Sequence, residues 1–317
     1  MNVPARAPLA PEIVETIERF EKLMGETELD VQKMRQVYRS VMSEQGQAKD
    51  PVKTRDLLVP TRHGSVSARL YTPLPEVPRP LILYIHGGGF MVGDLDSVDL
   101  ALHRVSRGAD VAILSIDYSL APEHKYPVAL EQCQDALTWA TTNAKALGGA
   151  KGIGIAGDSA GGNLSALLAM WARDHTNIEI VWQGLVNPVL DFHGVVNART
   201  ESHVVYADGP VLSSVVMNYF IDQYFSDREK LTEASPLLRG DLSGLPQAFI
   251  AVGECDPLRD EGLEYAERLK AAGAKVTAKL YKGMAHNFIT LTHLSETASG
   301  FVDDFTRAAR AALHPGQ

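Results

Sequence analysis

The chain has 317 residues, 45% of them apolar and 22% charged, enough to bury one large core with a subsidiary layer. Its formal net charge is −9 and its 30 lysines and arginines are scattered, which argues against a surface that tracks nucleic-acid phosphates and for a small neutral or weakly polar substrate. No apolar run approaches about 18 residues, the Pro/Ala-rich start lacks a secretory pattern, and only Cys133 and Cys255 occur, so a soluble cytoplasmic protein with reduced thiols and no stable membrane association is expected.

Two helical patterns come first. Ile13, Ile17, Phe20 and Met24 recur at helical spacing over Pro11 to Met24, as do Val31, Met34, Val37 and Val41 over Glu28 to Gln45. Gly25 breaks the run, which predicts a helical hairpin linked to the body through Gly46 to Pro51. Lys53 to Pro60 and Val66 to Thr72 alternate apolar and polar residues around His63-Gly64, as a half-buried antiparallel pair does. Leu81 to Ile85, Val111 to Ile116, Ile153 to Ala156, Ile180 to Val186, Ala248 to Val252 and Val276 to Leu280 are short apolar runs suited to buried parallel strands. Helical segments fall between them at about 97–108, 128–146, 160–173, 260–272 and 296–312. The alternation predicts an α/β fold, a mostly parallel, eight-stranded twisted sheet flanked by helices. Residues 191–238 are longer than a crossover needs and rich in aromatics; they are expected to join residues 1–50 in a helical cap over a body made of 51–190 and 239–317.

The chemistry concentrates in short motifs at strand ends. Gly157-Asp158-Ser159-Ala160-Gly161 follows one apolar strand and precedes an Ala/Leu-rich helix, the strand-turn-helix context of a nucleophile elbow, with Ser159 at its tip. The G-x-S-x-G pattern alone is weakly specific; its companions carry the weight. His86-Gly87-Gly88-Gly89-Phe90 follows another strand, and the backbone N–H groups of Gly88, Gly89 and Ala160 are the candidate donors of an oxyanion hole. His86 is expected to orient its loop and not to act in catalysis. Asp256 and His286 each follow a late strand, in the order Ser, Asp, His, so His286 is the candidate base and Asp256 the candidate acid behind it. Asp260 and Glu261 are rival acids that fit better as N-terminal residues of the next helix, capping its N–H groups and favouring its dipole; Glu254 is a third rival, expected to point to the other side of the chain from Asp256. The remaining histidines, including His103 and His203, are expected to be solvated or locally bonded and not paired with a carboxylate at a strand end. Gly152 to Gly157 matches G-x-G-x-x-G, but its glycines bracket the strand where a dinucleotide site needs them after it, and no zinc-ligand or P-loop spacing occurs, so no cofactor and no metal is expected. Phe90, Tyr206, Met217 and Phe220 are the candidate pocket walls.

On these residues the chain resembles the bacterial hormone-sensitive-lipase-like, or family IV, carboxylesterases of the α/β-hydrolase superfamily. The resemblance runs from about residue 53 onward and is carried by His86-Gly87-Gly88-Gly89-Phe90, Asp117-Tyr118-Ser119-Leu120-Ala121-Pro122-Glu123-His124, Gly157-Asp158-Ser159-Ala160-Gly161-Gly162, Asp256-Pro257-Leu258-Arg259-Asp260-Glu261 and His286-Asn287-Phe288. It implies an α/β-hydrolase fold with a helical cap and a cofactor-free serine carboxylesterase. The implied reaction is hydrolysis of short- to medium-chain esters through an acyl-enzyme intermediate on a Ser-His-Asp triad with a backbone oxyanion hole. Members are frequently dimers, which leaves room for a homodimer. The resemblance also selects Asp256 over its rivals. Two departures stand out. Asn287 occupies a position usually held by glycine, and asparagine tolerates a left-handed backbone better than most residues. The segment Asn187-Pro188-Val189-Leu190-Asp191 differs modestly from the usual Tyr-Pro-x-x-Asp form, with little consequence expected for the chemistry.

Overall fold

The computed structural model of the protein describes residues 4–25 and 29–316. It opens with helices α1 (Pro11–Gly25) and α2 (Val31–Met42), followed by a 3₁₀ turn over Ser43–Gln45. Helix α1 buries Ile13 and Ile17, and α2 buries Met34, Tyr38 and Val41; both sets follow the three- and four-residue spacing of one helix face. The carboxylate of Asp30 caps α2 by accepting from the Lys33 N–H at 2.9 Å. The expected helix start at Glu28 and the turn over 26–28 lie outside the described residues.

The strands β1 (Lys53–Val59), β2 (Val66–Thr72), β3 (Arg79–Ile85), β4 (Ala112–Asp117), β5 (Gly149–Asp158), β6 (Ile180–Val186), β7 (Gln247–Cys255) and β8 (Val276–Ala285) form one eight-stranded sheet in the order β1-β2-β4-β3-β5-β6-β7-β8. Strand β2 is antiparallel to β1 and β4, and the remaining pairs are parallel. Strand β1 is less buried than its alternating pattern predicts. Only Val59 is buried and Leu58 is 65% exposed, because β1 is an edge strand with a single neighbour. Strands β7 and β8 run past their apolar stretches, since backbone pairing such as Cys255 with Ala285 continues after the apolar side chains stop.

Helices α3 (Asp99–Ala109), α4 (Val128–Thr142) and α5 (Ala160–His175) connect the early strands. The segment after β6 carries α6 (Phe192–Asn197), α7 (Glu201–Val205), α8 (Ser214–Tyr224) and α9 (Lys230–Glu233), and α10 (Arg259–Ala271) and α11 (Glu296–Leu313) complete the chain. The two-residue period of a strand divides the core in two. Leu81, Leu83 and Ile85 of β3 pack with Leu137 of α4 and Leu164 of α5, whereas Ile82 and Tyr84 pack with Leu102 of α3 and Phe305 of α11. Among the described residues no helix is long and apolar enough to cross a membrane.

Residues 86–89 follow β3, Ser159 follows β5, Asp256 follows β7 and His286 follows β8. Because β3 and β5 to β8 are parallel, all of these lie along one edge of the sheet, where open α/β sheets place their sites.

Candidate active site

Strand β5 ends at Asp158 and α5 begins at Ala160, so Ser159 must turn the chain alone. It does so at φ 53° and ψ −116°, a strained backbone for a residue with a side chain. Its surroundings enforce that conformation: the Ser159 N–H donates to the Val186 carbonyl at 2.8 Å. A Cβ at Gly161 would overlap the carbonyl oxygens of Ile85 and His86, and one at Gly157 would overlap those of Gly161 and Ile85, so both flanking positions require glycine.

His286 joins Ser159 to Asp256. Its Nε2 lies 2.8 Å from Ser159 Oγ and its Nδ1 2.9 Å from Asp256 Oδ2. Serine, histidine and aspartate are 8%, 6% and 0% exposed, so both contacts are sheltered from water. A carboxylate can only accept; the proton on the Asp256 side therefore sits on Nδ1, and Nε2 is left to accept from the serine hydroxyl. Asp256 Oδ1 accepts from the Leu258 N–H at 2.8 Å, and Oδ2 also accepts from the side-chain amide of Asn187. Asn187 was expected to have little consequence, and here it touches the carboxylate itself. The short motif around it carries no sign of this, because the contact depends on the ends of β6 and β7 lying side by side.

The other carboxylates near the site, the rivals Glu254, Asp260 and Glu261 among them, are engaged elsewhere. Asp158 Oδ1 accepts from the Tyr84 hydroxyl at 2.8 Å, and burial raises the Asp158 pKa. Glu254 accepts from the Gly283 N–H at 2.9 Å. Asp260 and Glu261 sit in the first turn of α10 as expected, yet they do not cap it. Asp260 accepts from the Ser202 N–H at 2.8 Å and pairs with Arg259, while Glu261 is fully buried, accepts from the Leu190 N–H at 2.6 Å and stands 3.4 Å from His203. Of the other histidines, His103 is locally bonded as expected, buried 3.4 Å from Asp99 one helical turn away, whereas His203 departs from the expectation, buried against Glu261 of a distant segment.

Gly88 and Gly89 adopt φ of 116° and 58°, and the Gly88 carbonyl accepts from the N–H groups of Met91 and Val92, which folds the loop back on itself. Ala160, as the first residue of α5, carries one of the N–H groups that a helix start leaves without an intrahelical partner. All three line the same cavity as Ser159 and His286. His86 holds its own loop: the ring is buried, stacks on Tyr118 with centroids 4.5 Å apart, and places Nδ1 2.7 Å from the Gly87 carbonyl.

Of the four candidate walls, Phe90, Met217 and Phe220 line this cavity. Phe220 packs so close to Gly89 that a Cβ there would enter its ring, and Phe90 stacks on Tyr224 with centroids 3.9 Å apart. Tyr206 is not a wall. It is buried beside Val205 and Cys255, and its hydroxyl accepts from the Ala7 N–H at 3.3 Å. Part of the wall comes instead from α1 and α2, through Ile17, Phe20, Met34 and Tyr38. The apolar stripe of the first two helices was the available signal for these. Among the described residues no side chain lining the cavity is charged. The arrangement can pass a proton from a hydroxyl to an imidazole held by a buried carboxylate, beside backbone donors and under an apolar roof.

A family model described as alpha/beta hydrolase fold matches residues 82–290. The chain is 39% identical over 271 residues to the carboxylic ester hydrolase LipN of Mycobacterium tuberculosis, covering 83% of this chain and 71% of that protein. It is 37% identical over 256 residues to the carboxylesterase NlhH of the same organism, covering 78% of this chain and 79% of NlhH. A solved esterase of Pyrobaculum calidifontis superposes with a TM-score of 0.87 at 33% identity, over 96% of this chain and 99% of that one.

Proposed function

The chain belongs to the alpha/beta hydrolase fold family, and on that premise we propose that it hydrolyses short- to medium-chain neutral carboxylic esters through an acyl-enzyme on Ser159. It is a carboxylic ester hydrolase of the hormone-sensitive-lipase-like branch, like the relatives it matches. The observation that carries the reading is the placement of His286 between Ser159 Oγ at 2.8 Å and Asp256 Oδ2 at 2.9 Å, beside the cavity.

In this reading Ser159 Oγ attacks the ester carbonyl while its proton moves to His286 Nε2. Asp256 holds the imidazole in the required tautomer and stabilises the imidazolium. The carbonyl oxygen becomes an oxyanion and takes hydrogen bonds from the backbone N–H groups of Gly88, Gly89 and Ala160. Collapse expels the alcohol, which takes the proton from Nε2. Water then attacks the acyl-serine by the same path, and the acid leaves.

Residues 1–50 and 191–238 act as a cap on a catalytic body of 51–190 and 239–317; in support, α1, α2, α6 and α8 all contribute to the cavity wall. A cavity whose described lining is apolar and uncharged favours neutral substrates, and a roof of packed side chains disfavours long acyl chains. Cys133 and Cys255 are free, buried thiols, which fits a reducing compartment such as the cytoplasm. Incubation with p-nitrophenyl butyrate is expected to release p-nitrophenol and leave a butyryl adduct on Ser159, with both lost in Ser159→Ala. Turnover that survives in Ser159→Ala would refute the reading.

A further inference from the structure

Resting on the reading of Ser159, His286 and the Gly88-Gly89 loop given above, we infer that one turn of α2, carrying Arg35 and Tyr38, positions the oxyanion loop and the histidine loop relative to each other. The two loops need such an element. One leaves β3 and the other leaves β8, and three strands separate these in the sheet, so no direct strand pairing sets the distance between them.

Arg35 reaches the first loop. Its Nε donates to the Met91 carbonyl at 2.8 Å, two residues past Gly89. Its Nη2 donates to the Ala121 carbonyl at 2.9 Å, and the Ala121 N–H in turn donates to the Phe90 carbonyl at 2.8 Å. The Glu123 carboxylate receives Nη1 at 2.8 Å and Nη2 at 2.7 Å, a two-pronged pairing that fixes the guanidinium plane. The Arg35 side chain is only 14% exposed, so it is ordered and not a solvated surface charge.

Tyr38 reaches the second loop. Three residues further along α2, it lies on the same helix face as Arg35. Its hydroxyl accepts from the Asn287 side-chain amide at 3.1 Å. Asn287 directly follows His286 and holds a left-handed backbone at φ 61°, so its side chain and the ring of His286 leave the same short loop. A glycine would hold the same left-handed backbone but has no side chain with which to make this bond. The left-handed conformation belongs to the loop; the bond to α2 belongs to the amide. A serine, a base and an oxyanion hole lose rate when their mutual placement slips by a fraction of an ångström, so a brace of this kind acts on turnover more than on binding.

The test compares Tyr38→Phe, Asn287→Gly, their combination and Arg35→Lys in the full chain, reading kcat, KM and melting temperature with p-nitrophenyl butyrate. Phenylalanine keeps the ring packing, glycine accepts the left-handed backbone, and lysine keeps the charge facing Glu123 without the fork. Each single variant is expected to lower kcat about three- to tenfold with KM changed less than about twofold. The combined variant is expected to be no slower than the slower of Tyr38→Phe and Asn287→Gly, since both remove the same bond. An unchanged kcat, a rise in KM alone, a fall in melting temperature alone, or losses that multiply in the combined variant would each overturn the positioning role. Ser159→Ala, assayed alongside, separates the two levels: activity retained there refutes the site itself, whereas activity lost there with kcat unchanged in the α2 and Asn287 variants refutes the brace alone.

Discussion

Two asparagines show how the same amide serves different ends. Both hold a left-handed backbone, but Asn287 bonds to a helix, whereas Asn187 donates to Asp256 Oδ2, the oxygen that also faces His286. With the Leu258 N–H on Oδ1, the Asn187 amide gives the buried carboxylate a second fixed donor besides the imidazole. Asn187→Gly removes that donor and tolerates the left-handed backbone at φ 45°. Hydrogen bonds to a charged group contribute about 1.5–3 kcal/mol, so kcat/KM is expected to fall about ten- to hundredfold with most of the loss in kcat. A variant within about twofold of the parent would mean that Leu258 and His286 orient Asp256 by themselves. Ser159 and His286 were legible as candidates because each lies in a short motif at a strand end, whereas Asp256 was chosen among its neighbouring carboxylates by family resemblance. Asn187 was not legible, since its partner lies 69 residues further along and is brought near only by strand order.

Among the elements, α3 is tied to the sheet by one carboxylate. Asp99 accepts from the Tyr71 hydroxyl at 2.7 Å and from Arg69 at 3.0 Å, with His103 at 3.4 Å. Burial opposes its charge, yet the hydrogen bonds from His103, Tyr71 and Arg69 prevail and hold its pKa down to about 2, from an ordinary 3.8. The folded value is the lower one, so Asp99 stabilises the fold above the unfolded value of 3.8, and that stability is lost as the pH falls toward about 2. It is on the order of 2 kcal/mol at most. Asp99→Asn is therefore expected to melt below the parent at about pH 6, with a gap that closes as melting curves are taken from about pH 4 to pH 2. A gap that keeps its size at the acid end would assign the loss to packing. The pattern of apolar runs located all eight strands of the sheet, but it overstated the burial of β1 and missed the far ends of β7 and β8. Periodicity reports side chains. Neighbours decide which strand is an edge, and backbone pairing decides where a strand stops.

At the scale of the whole molecule, charge and cavity act together on substrate choice. The chain carries a net charge of −9, and among the described residues the cavity offers no charged side chain to a charged ligand. An anionic ester would meet an unfavourable field on approach and an uncompensated desolvation on entry. The kcat/KM for p-nitrophenyl hemisuccinate is expected to be lower than that for p-nitrophenyl butyrate by about a hundredfold or more, and comparable values would place a cation in the path of the substrate. The sequence by itself determined the fold class and the strands and offered candidate site residues, because apolar periodicity and short motifs are local properties of a chain. Tertiary structure alone decided that Asn187 meets Asp256, that Tyr206 turns to Ala7 and away from the cavity, and that Tyr38 meets Asn287 across 249 residues. Those contacts follow from the order of strands in the sheet and from how helices outside it pack over one edge, and neither is written in the residues at either end.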